Sequence, residues 1–215
     1  MPFNLVPHSK SGTPSASAVG VFHNKLVSNR RVQVLADWFA KLLPPEVGVL
    51  DVGCGDGLIS ALLLQKRPDI TVRGVDVLPR VRAYIPVEIF DGSTLPFASA
   101  SFDVVIFSDV LHHTVNASIL LREARRTAKL NVLIKDHYRQ GLVANARLRF
   151  MDWVGNARFG VALPYNYWTP EQWHTAWRKI GLQPVHLETK LGLYPKPADW
   201  IFGGKLHFVA LLKRT

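Results

Sequence analysis

The sequence predicts an α/β fold, a mostly parallel sheet with helices on both faces, and three observations point to it. Val49 to Gly57, VLDVGCGDG, is an apolar run that opens into glycines at alternate positions and leads into LISALLLQK, which has helical spacing. That order is a strand, a glycine turn and a helix. Strand-like and helix-like segments then alternate along the chain, as in a parallel sheet with right-handed crossovers. Two later strand-like runs end in acids, Asp76 and Asp91, at the carboxyl edge where open α/β sheets bind ligands.

In chain order, residues 1–20 contain SGTPSASA and no apolar period, and read as a flexible arm ahead of one domain over 21–215. From Ser28 or Asn29 as cap, Val32, Leu35, Ala36, Phe39 and Leu43 share one helical stripe, which Pro44-Pro45 ends. The glycine turn follows. Glycine supplies positive φ and close backbone approach, so a ligand can lie over the N-terminus of the next helix. A dinucleotide-binding turn would be G-x-G-x-x-G, whereas Gly53, Gly55 and Gly57 are spaced G-x-G-x-G. Asp51, two residues before the first glycine, would repel a pyrophosphate but suits the ammonium of an amino acid. The turn therefore favours a zwitterionic nucleoside.

Ile70–Val75 and Val87–Phe90 read as the second and third strands and Phe102–Ser108 as the fourth. The next helix runs from about Ala117 to Ala128, with Ile119, Leu120, Ala124 and Ala128 inward and Arg122, Glu123, Arg125, Arg126 and Lys129 mostly outward. Asn131–Lys135 is the fifth strand. The connection from Asp136 to Trp168 is too long for a simple loop and predicts a lid insertion at about 136–168. Within it Leu142, Ala146, Phe150 and Trp153 recur at helical spacing up to Gly155-Asn156, and the aromatic stretch Phe159 to Trp168 follows. Thr169-Pro-Glu-Gln172 caps a helix over Pro170–Ile180 that ends at Gly181, and strands near Pro184–Glu188 and Lys205–Leu212 finish the chain.

The motifs resemble those of the class I S-adenosylmethionine (SAM)-dependent methyltransferases in their type 11 methyltransferase-domain form. Asp51-Val-Gly-Cys-Gly-Asp-Gly57 matches the family's glycine loop, Asp76 in VRGVDV its second acidic position, Asp91 in FDGSTLPF its third, and SFDVVIFSDVLHH its fourth-strand pattern. Four motifs in order, from about Val47 to His113, make the likeness specific. It implies a Rossmann-like sheet of seven strands, the last antiparallel, with SAM as cofactor. The implied cofactor set is Asp51, Gly53, Gly55, Gly57, Asp76 on the ribose diol, Asp91 near the adenine amine, Gly92 and Ser108. One departure is the turn before the fifth strand, where Ala128-Lys-Leu-Asn131 replaces the usual Lys-Pro-Gly-Gly.

The function this implies is methyl transfer to a small molecule. Alternatives are transfer to RNA and a non-catalytic SAM-binding interaction protein. No Asn/Asp-Pro-Pro-Tyr tetrapeptide follows the fourth strand, where the chain reads Ser108-Asp109-Val110-Leu111, and no Gly-Lys-Ser/Thr marks a nucleotide hydrolase. A proton acceptor, where the nucleophile needs one, is expected at His137 or His113, with Asp136 or Asp109 to orient an imidazole from the neighbouring loop. Substrate contacts are expected from Asp109, His112, Tyr138, Arg149, Trp153, Tyr165 and Tyr167, with Trp168 beside them.

Composition sets the remaining bounds. With 215 residues, 48% hydrophobic and 20% charged, the chain suits one globular domain. No apolar run nears the roughly 18 residues of a membrane span, and MPFNLVPHSK lacks a signal-peptide core, so a cytoplasmic location is expected. The single cysteine, Cys54, excludes an internal disulfide and has no adjacent basic partner to make it a reactive thiol. No cluster shows metal-ligand spacing along the chain. Residues 109–215 hold 16 Lys and Arg against 7 Asp and Glu, which leaves +9 of the formal +10 in that half. An anionic substrate or acidic surface would suit it, with Arg139, Arg147, Arg149 and Arg158 as contacts.

Overall fold

The computed structural model describes residues 29–78, 80–156, 164–196 and 198–215. The arm over 1–20, the Ser28 cap, Arg158 and the start of the aromatic stretch lie outside them. Seven strands form one sheet: β1 Gly48–Val52, β2 Thr71–Asp76, β3 Val87–Ile89, β4 Phe102–Ser108, β5 Ala128–His137, β6 Leu182–Glu188 and β7 His207–Arg214. Their order is β3-β2-β1-β4-β5-β7-β6. The first five pair in parallel, and β7 runs antiparallel to both β5 and β6, as expected. The order reverses between β1 and β4, so a ligand crevice opens at their carboxyl ends.

Buried strands read as continuous apolar runs because helices cover both faces. Val105 and Phe107 of β4, with Val132 and Ile134 of β5, face one way, toward Leu120, Leu121 and Ala124 of α3 (Ala117–Thr127) and Trp173 and Trp177 of α5 (Pro170–Lys179). Their neighbours Val104, Ile106 and Leu133 face the other way, toward Leu35 and Phe39 of α1 (Asn29–Leu42) and Leu63 of α2 (Leu58–Lys66). The expected stripe of α1 is buried throughout. Arg67 closes its end, donating to the carbonyls of Ala40, Leu43 and Pro44 at 2.7 to 2.9 Å. The Ala40 carbonyl is one that the helix end leaves without an intrahelical partner, and those of Leu43 and Pro44 lie just beyond it.

The Thr169 capping box forms as predicted: Gln172 N–H donates to Thr169 Oγ1 at 3.3 Å, and Thr169 N–H donates to Gln172 Oε1 at 2.8 Å. Such a cap contributes about 1 kcal/mol.

Three expectations shift. Ile119 is exposed, and Leu121 takes its place under α3, because packing selected the stripe one residue round. Strand β5 runs on through Asp136 and His137, since pairing with Phe208 and His207 of β7 continues that far. The connection in which a lid is expected therefore starts two residues later. Its helix is α4, Ala144–Asn156, which buries Ala144 and Leu148 against Tyr167 and Leu206. The stripe singled out in the sequence, Leu142, Ala146, Phe150 and Trp153, faces outward.

Candidate active site at the strand ends

At the carboxyl end of β1 the chain turns through Gly53, Gly55 and Gly57, at φ of 71°, 61° and 76°. Gly53 N–H donates to the Val75 carbonyl at 2.7 Å, which straps the turn to β2. A Cβ on Gly53 would meet Val110 at 2.6 Å, and one on Gly57 would meet Ile85 at 2.4 Å. A Cβ on Gly55 would meet nothing within 4 Å. Two glycines are thus required by the fold, while the middle one faces open space beside Asp76.

The acids around the turn divide by burial. Asp76 is buried; its Oδ2 accepts from Gly55 N–H at 2.8 Å and its Oδ1 from Leu78 N–H at 2.9 Å. Each oxygen keeps a lone pair for a further donor, such as a hydroxyl. Asp51 is buried beneath the turn and accepts from Ser60 Oγ at 2.6 Å. Burial pushes its carboxyl up to about 6, the Ser60 bond pulls the other way, and nearby Asp76 adds to the rise. Asp91 is exposed, and its Oδ1 accepts from Ser93 N–H, Ser93 Oγ and Thr94 N–H at 2.7 to 2.9 Å. Those bonds hold its carboxyl below the usual carboxylate range. Gly92, at φ 81°, continues that turn, and the Ser108 hydroxyl at the end of β4 is buried with no hydrogen-bond partner among the described residues. Burial, with Asp51 and Asp76 close by, pushes the Cys54 thiol well up, so it is no nucleophile.

Next to this cradle, β4 and β5 end in a second cluster. Asp109 follows β4 at φ 58°, a left-handed position that Asp tolerates better than most residues, with its N–H donating to the Lys135 carbonyl at 2.9 Å. Its carboxylate takes the fully buried Lys135 ammonium on Oδ1 and the Arg31 guanidinium of α1 on Oδ2. Burial alone would raise the Asp109 carboxyl, but Lys135 and Arg31 hold it well below its ordinary value. Lys135 also lies 3.3 Å from His207 Nδ1. Since His207 Nε2 lies 2.7 Å from the Phe202 carbonyl, to which only an N–H can donate, its Nδ1 is left as acceptor for the ammonium. Burial and Lys135 keep His207 well below the ordinary histidine range, which agrees with that neutral form.

Asp136 is fully buried at the end of β5. Its Oδ1 lies 2.6 Å from His112 Nδ1 and accepts from His137 N–H at 2.8 Å; its Oδ2 accepts from Leu111 N–H at 3.1 Å. Burial opposes ionisation, but the charge of His112 and hydrogen bonds from His112 and His137 outweigh it, and the carboxyl is held far down. His137 Nδ1 lies 3.4 Å from Asp136 Oδ1 and 3.5 Å from Asp109 Oδ1. Its Nε2 has no hydrogen bond among the described residues. Burial and the Lys135 charge lower the His137 pKa, so its ring is neutral near pH 7.

The other expected residues are placed unequally. His112 is the buried imidazole of its loop; His113, less buried, has its ring centroid 4.1 Å away. Tyr167 stacks on His112 at 5.4 Å, meets His137 edge-on and donates its hydroxyl to the Leu148 carbonyl under α4. Tyr138 is buried on Phe208 at 4.3 Å, in the core rather than at the cluster. Tyr165 lies beneath the Arg149 guanidinium at 4.4 Å, while Trp153 is exposed on the outer side of α4. Trp168 packs on Trp173, whose indole N–H donates to the His137 carbonyl and steadies the strand end.

Sequence reasoning passed over Lys135, Arg31 and His207. Lysine inside the apolar run NVLIKDH was the one local signal; the other two come from distant segments. It also saw no metal spacing, yet ligand-type atoms of Asp109, His112, Asp136 and His137 fall within 4.8 Å of one another. Lys135 and Arg31 already neutralise Asp109, so the cluster carries its own cations.

Comparison with known proteins agrees with this architecture. A family model described as a methyltransferase domain matches residues 50–134. The 27-O-demethylrifamycin SV methyltransferase of Amycolatopsis mediterranei is 32% identical over 110 residues, 44% of this chain and 40% of that protein. The malonyl-[acyl-carrier protein] O-methyltransferase of Herminiimonas arsenicoxydans is 40% identical over 86 residues, 37% of this chain and 33% of that protein. The match thus spans well under half the length of these relatives. Among solved structures, the PH0226 protein of Pyrococcus horikoshii superposes with a TM-score of 0.64 at 18% identity, covering 87% of this chain and 91% of that one. A SAM-dependent methyltransferase from Aquifex aeolicus does so with a TM-score of 0.60 at 16% identity, covering 91% and 98%. With its glycine turn, strand-end acids and reversed last strand, the chain has the class I SAM-dependent methyltransferase fold, and residues 50–134 match the model of a methyltransferase domain.

Proposed function

We infer that the chain transfers a methyl group from SAM to a nucleophilic atom of a small-molecule acceptor, with His137 taking the acceptor's proton. One observation carries the reading: a nucleoside cradle with an open face at Gly55 adjoins a cluster that holds a buried, neutral imidazole. The residues present fit SAM. Gly55 leaves room against the backbone, Asp76 has lone pairs to spare for a diol, and Asp51 offers a carboxylate for an ammonium. When bound, SAM supplies a methyl carbon already activated by its sulfonium, so alignment and exclusion of water are what remain for the protein.

The chain's own residues do the rest. Asp136 and Asp109 face His137 Nδ1 and favour a proton there, which leaves the Nε2 lone pair to accept a proton from a hydroxyl or ammonium nucleophile. Asp136 bonds His112 and Leu111 as well, so one carboxylate sets both loops. Lys135 and Arg31 keep Asp109 ionised. Tyr167, stacked on His112, closes one wall.

The relatives support a small acceptor group, since those quoted are named for 27-O-demethylrifamycin SV and for the malonyl group of an acyl-carrier protein. The test is incubation with methyl-labelled SAM and separate small-molecule and RNA extracts. Label should enter the small-molecule fraction, and Asp76→Ala should weaken SAM binding by about 1.5 to 3 kcal/mol. Label in RNA would establish the RNA reading instead; SAM binding with no transfer to either fraction would establish a non-catalytic binding protein.

A further inference from the structure

Helix α4 has two apolar faces, and the fold uses one. Ala144 and Leu148 are buried over Tyr167 and Leu206. On the other side Val143, Ala146, Phe150 and Trp153 follow each other at three- and four-residue steps and are all exposed, and Leu142 just ahead of them projects fully into solvent. The patch continues onto the short helix α6, Ala198–Phe202: Phe202 stacks on Phe150 with the ring planes 12° apart, and Trp200 is exposed beside it. Arg147 fastens the two helices by donating to the Trp200 carbonyl at 3.2 Å. Contiguous exposed apolar side chains of this size mark an interaction site.

The charge around the patch is mainly positive on α4, with one acid, Asp199, on α6. Residues 138–156 contain Arg139, Arg147 and Arg149 and one acid, Asp152. We propose that this face docks on an anionic lipid surface, with α4 lying in the plane of the interface. The arginines meet the lipid headgroups while Leu142, Phe150, Trp153 and Trp200 enter the boundary with the acyl chains. A fluid bilayer fits better than a folded acidic partner, because Leu142 projects from the surface and no concave mate is needed to bury it. Among the described residues no helix is long and apolar enough to cross a membrane, so the contact is with the surface. Tyr167 joins α4 to His112, which places the docked helix directly over the strand-end cluster. The inference goes beyond methyl transfer and does not depend on it.

The experiment is co-sedimentation of the full chain with vesicles of phosphatidylcholine alone and of phosphatidylcholine with about one third phosphatidylglycerol. The mixed vesicles should bind the chain, and about 0.5 M NaCl should weaken binding by screening the arginines. Phe150→Glu with Trp153→Glu should reduce it about tenfold or more. These exposed positions leave the core intact, and an unchanged melting temperature checks that. Failure of the wild type to bind either vesicle would overturn the proposal, as would binding that ignores the double substitution. Light scattering separates another occupant: a dimer that the same substitutions dissolve, with no vesicle binding, gives the face to a second copy. Retention on poly-glutamate without vesicle binding gives it to an acidic protein.

Discussion

Asp136 Oδ1 lies 2.6 Å from His112 Nδ1, across the gap between the ends of β4 and β5, and neither side chain has measurable access to solvent beyond 1%. The carboxylate also accepts the backbone N–H groups of Leu111 and His137, so it joins the two loops beside Asp109, which pairs with Lys135. Asp136→Asn keeps the volume and two acceptor lone pairs but removes the charge that favours the proton on the neighbouring imidazoles. We expect single-turnover methyl transfer to fall about a hundredfold with SAM affinity kept, the lower range for loss of a positioned proton-transfer group. Asp136→Ala should unfold the site instead, at about 3 to 5 kcal/mol, because a buried imidazole partner loses its counter-group. A slow but stable Asn variant and a destabilised Ala variant, read by rate and by denaturation, distinguish positioning from scaffolding.

At saturating SAM, His137 should impose a single ionisation on the rate. Its pKa is lowered by burial and Lys135, so the neutral, proton-accepting form prevails above the ordinary value of 6.5 and is lost as pH falls through the depressed one. The rate should rise with pH below about 6.5 and level off above it. His137→Gln should remove this dependence and lower the rate, while His113→Gln, outside the Asp136 bonds, should keep the profile. Stability moves in the same direction: a depressed histidine pKa stabilises the fold above the unfolded value and loses that contribution in acid, for His137 and His207 alike. Equal profiles in both variants would remove the proton-acceptor role from His137.

Much of this was legible because it is local. The glycine spacing, the strand-end acids and the Thr169 capping box each depend on a few consecutive residues, and the structure holds each in the element expected. The two faces of α4 were not legible. Periodicity defines a stripe, but whether Leu142 to Trp153 or Ala144 and Leu148 turns inward depends on Tyr167 and Leu206, which are distant in sequence. The Arg31, Lys135 and His207 contacts to the strand ends escaped for the same reason: each joins residues at least 26 positions apart. The pairing of His112, rather than His113, with Asp136 depends on the short 3-10 turn Leu111–His113, whose orientation a strand pattern does not convey.

The glycines predict a separation of stability from binding. Gly57→Ala drives a Cβ to 2.4 Å from Ile85 at a positive φ, so the melting temperature should drop. Gly55→Ala meets no neighbour within 4 Å and costs only the left-handed backbone term, about 1 kcal/mol. Its methyl group, however, stands in the space assigned to the cofactor. Thermal denaturation and SAM calorimetry should therefore show Gly55→Ala folded and at least about tenfold weaker in binding, because overpacking a contact surface commonly costs 1 to 3 kcal/mol or roughly that factor. Wild-type affinity in a folded Gly55→Ala variant would move the cofactor away from the turn.

Asp109, His112, Asp136 and His137 form a donor set within reach of one cation, but Asp109 holds Lys135 and Arg31 on its two oxygens. A divalent ion would have to displace a buried ammonium that is already paired. Dialysis against a chelator should therefore leave the methyl-transfer rate unchanged, and added zinc or magnesium should not raise the melting temperature. A metal-dependent rise in either would show that the cluster trades its lysine contact for an ion.

Asp51 should make the cofactor step itself sensitive to pH. Its carboxyl stands at about 6, pushed up by burial and by Asp76 against the pull of Ser60. Between the ordinary value of 3.8 and about 6 the folded protein thus holds a proton that the unfolded chain releases, so this group stabilises the fold in acid and loses that contribution as pH rises through 6. Binding runs the other way. An ammonium placed against Asp51 is attracted to the carboxylate alone, so SAM affinity should climb as pH rises to about 6 and be flat above about 7, with a limiting slope of about tenfold per unit for one proton. Asp51→Asn should abolish the slope and fix affinity near the acid-side value. Calorimetry in buffers of different ionisation heats also reads the proton directly: the wild type should release about three quarters of a proton on binding at pH 5.5, and Asp51→Asn should release none. A wild-type affinity independent of pH between 5 and 7 would show that the ammonium is held elsewhere and that Asp51 serves only to anchor the turn through Ser60.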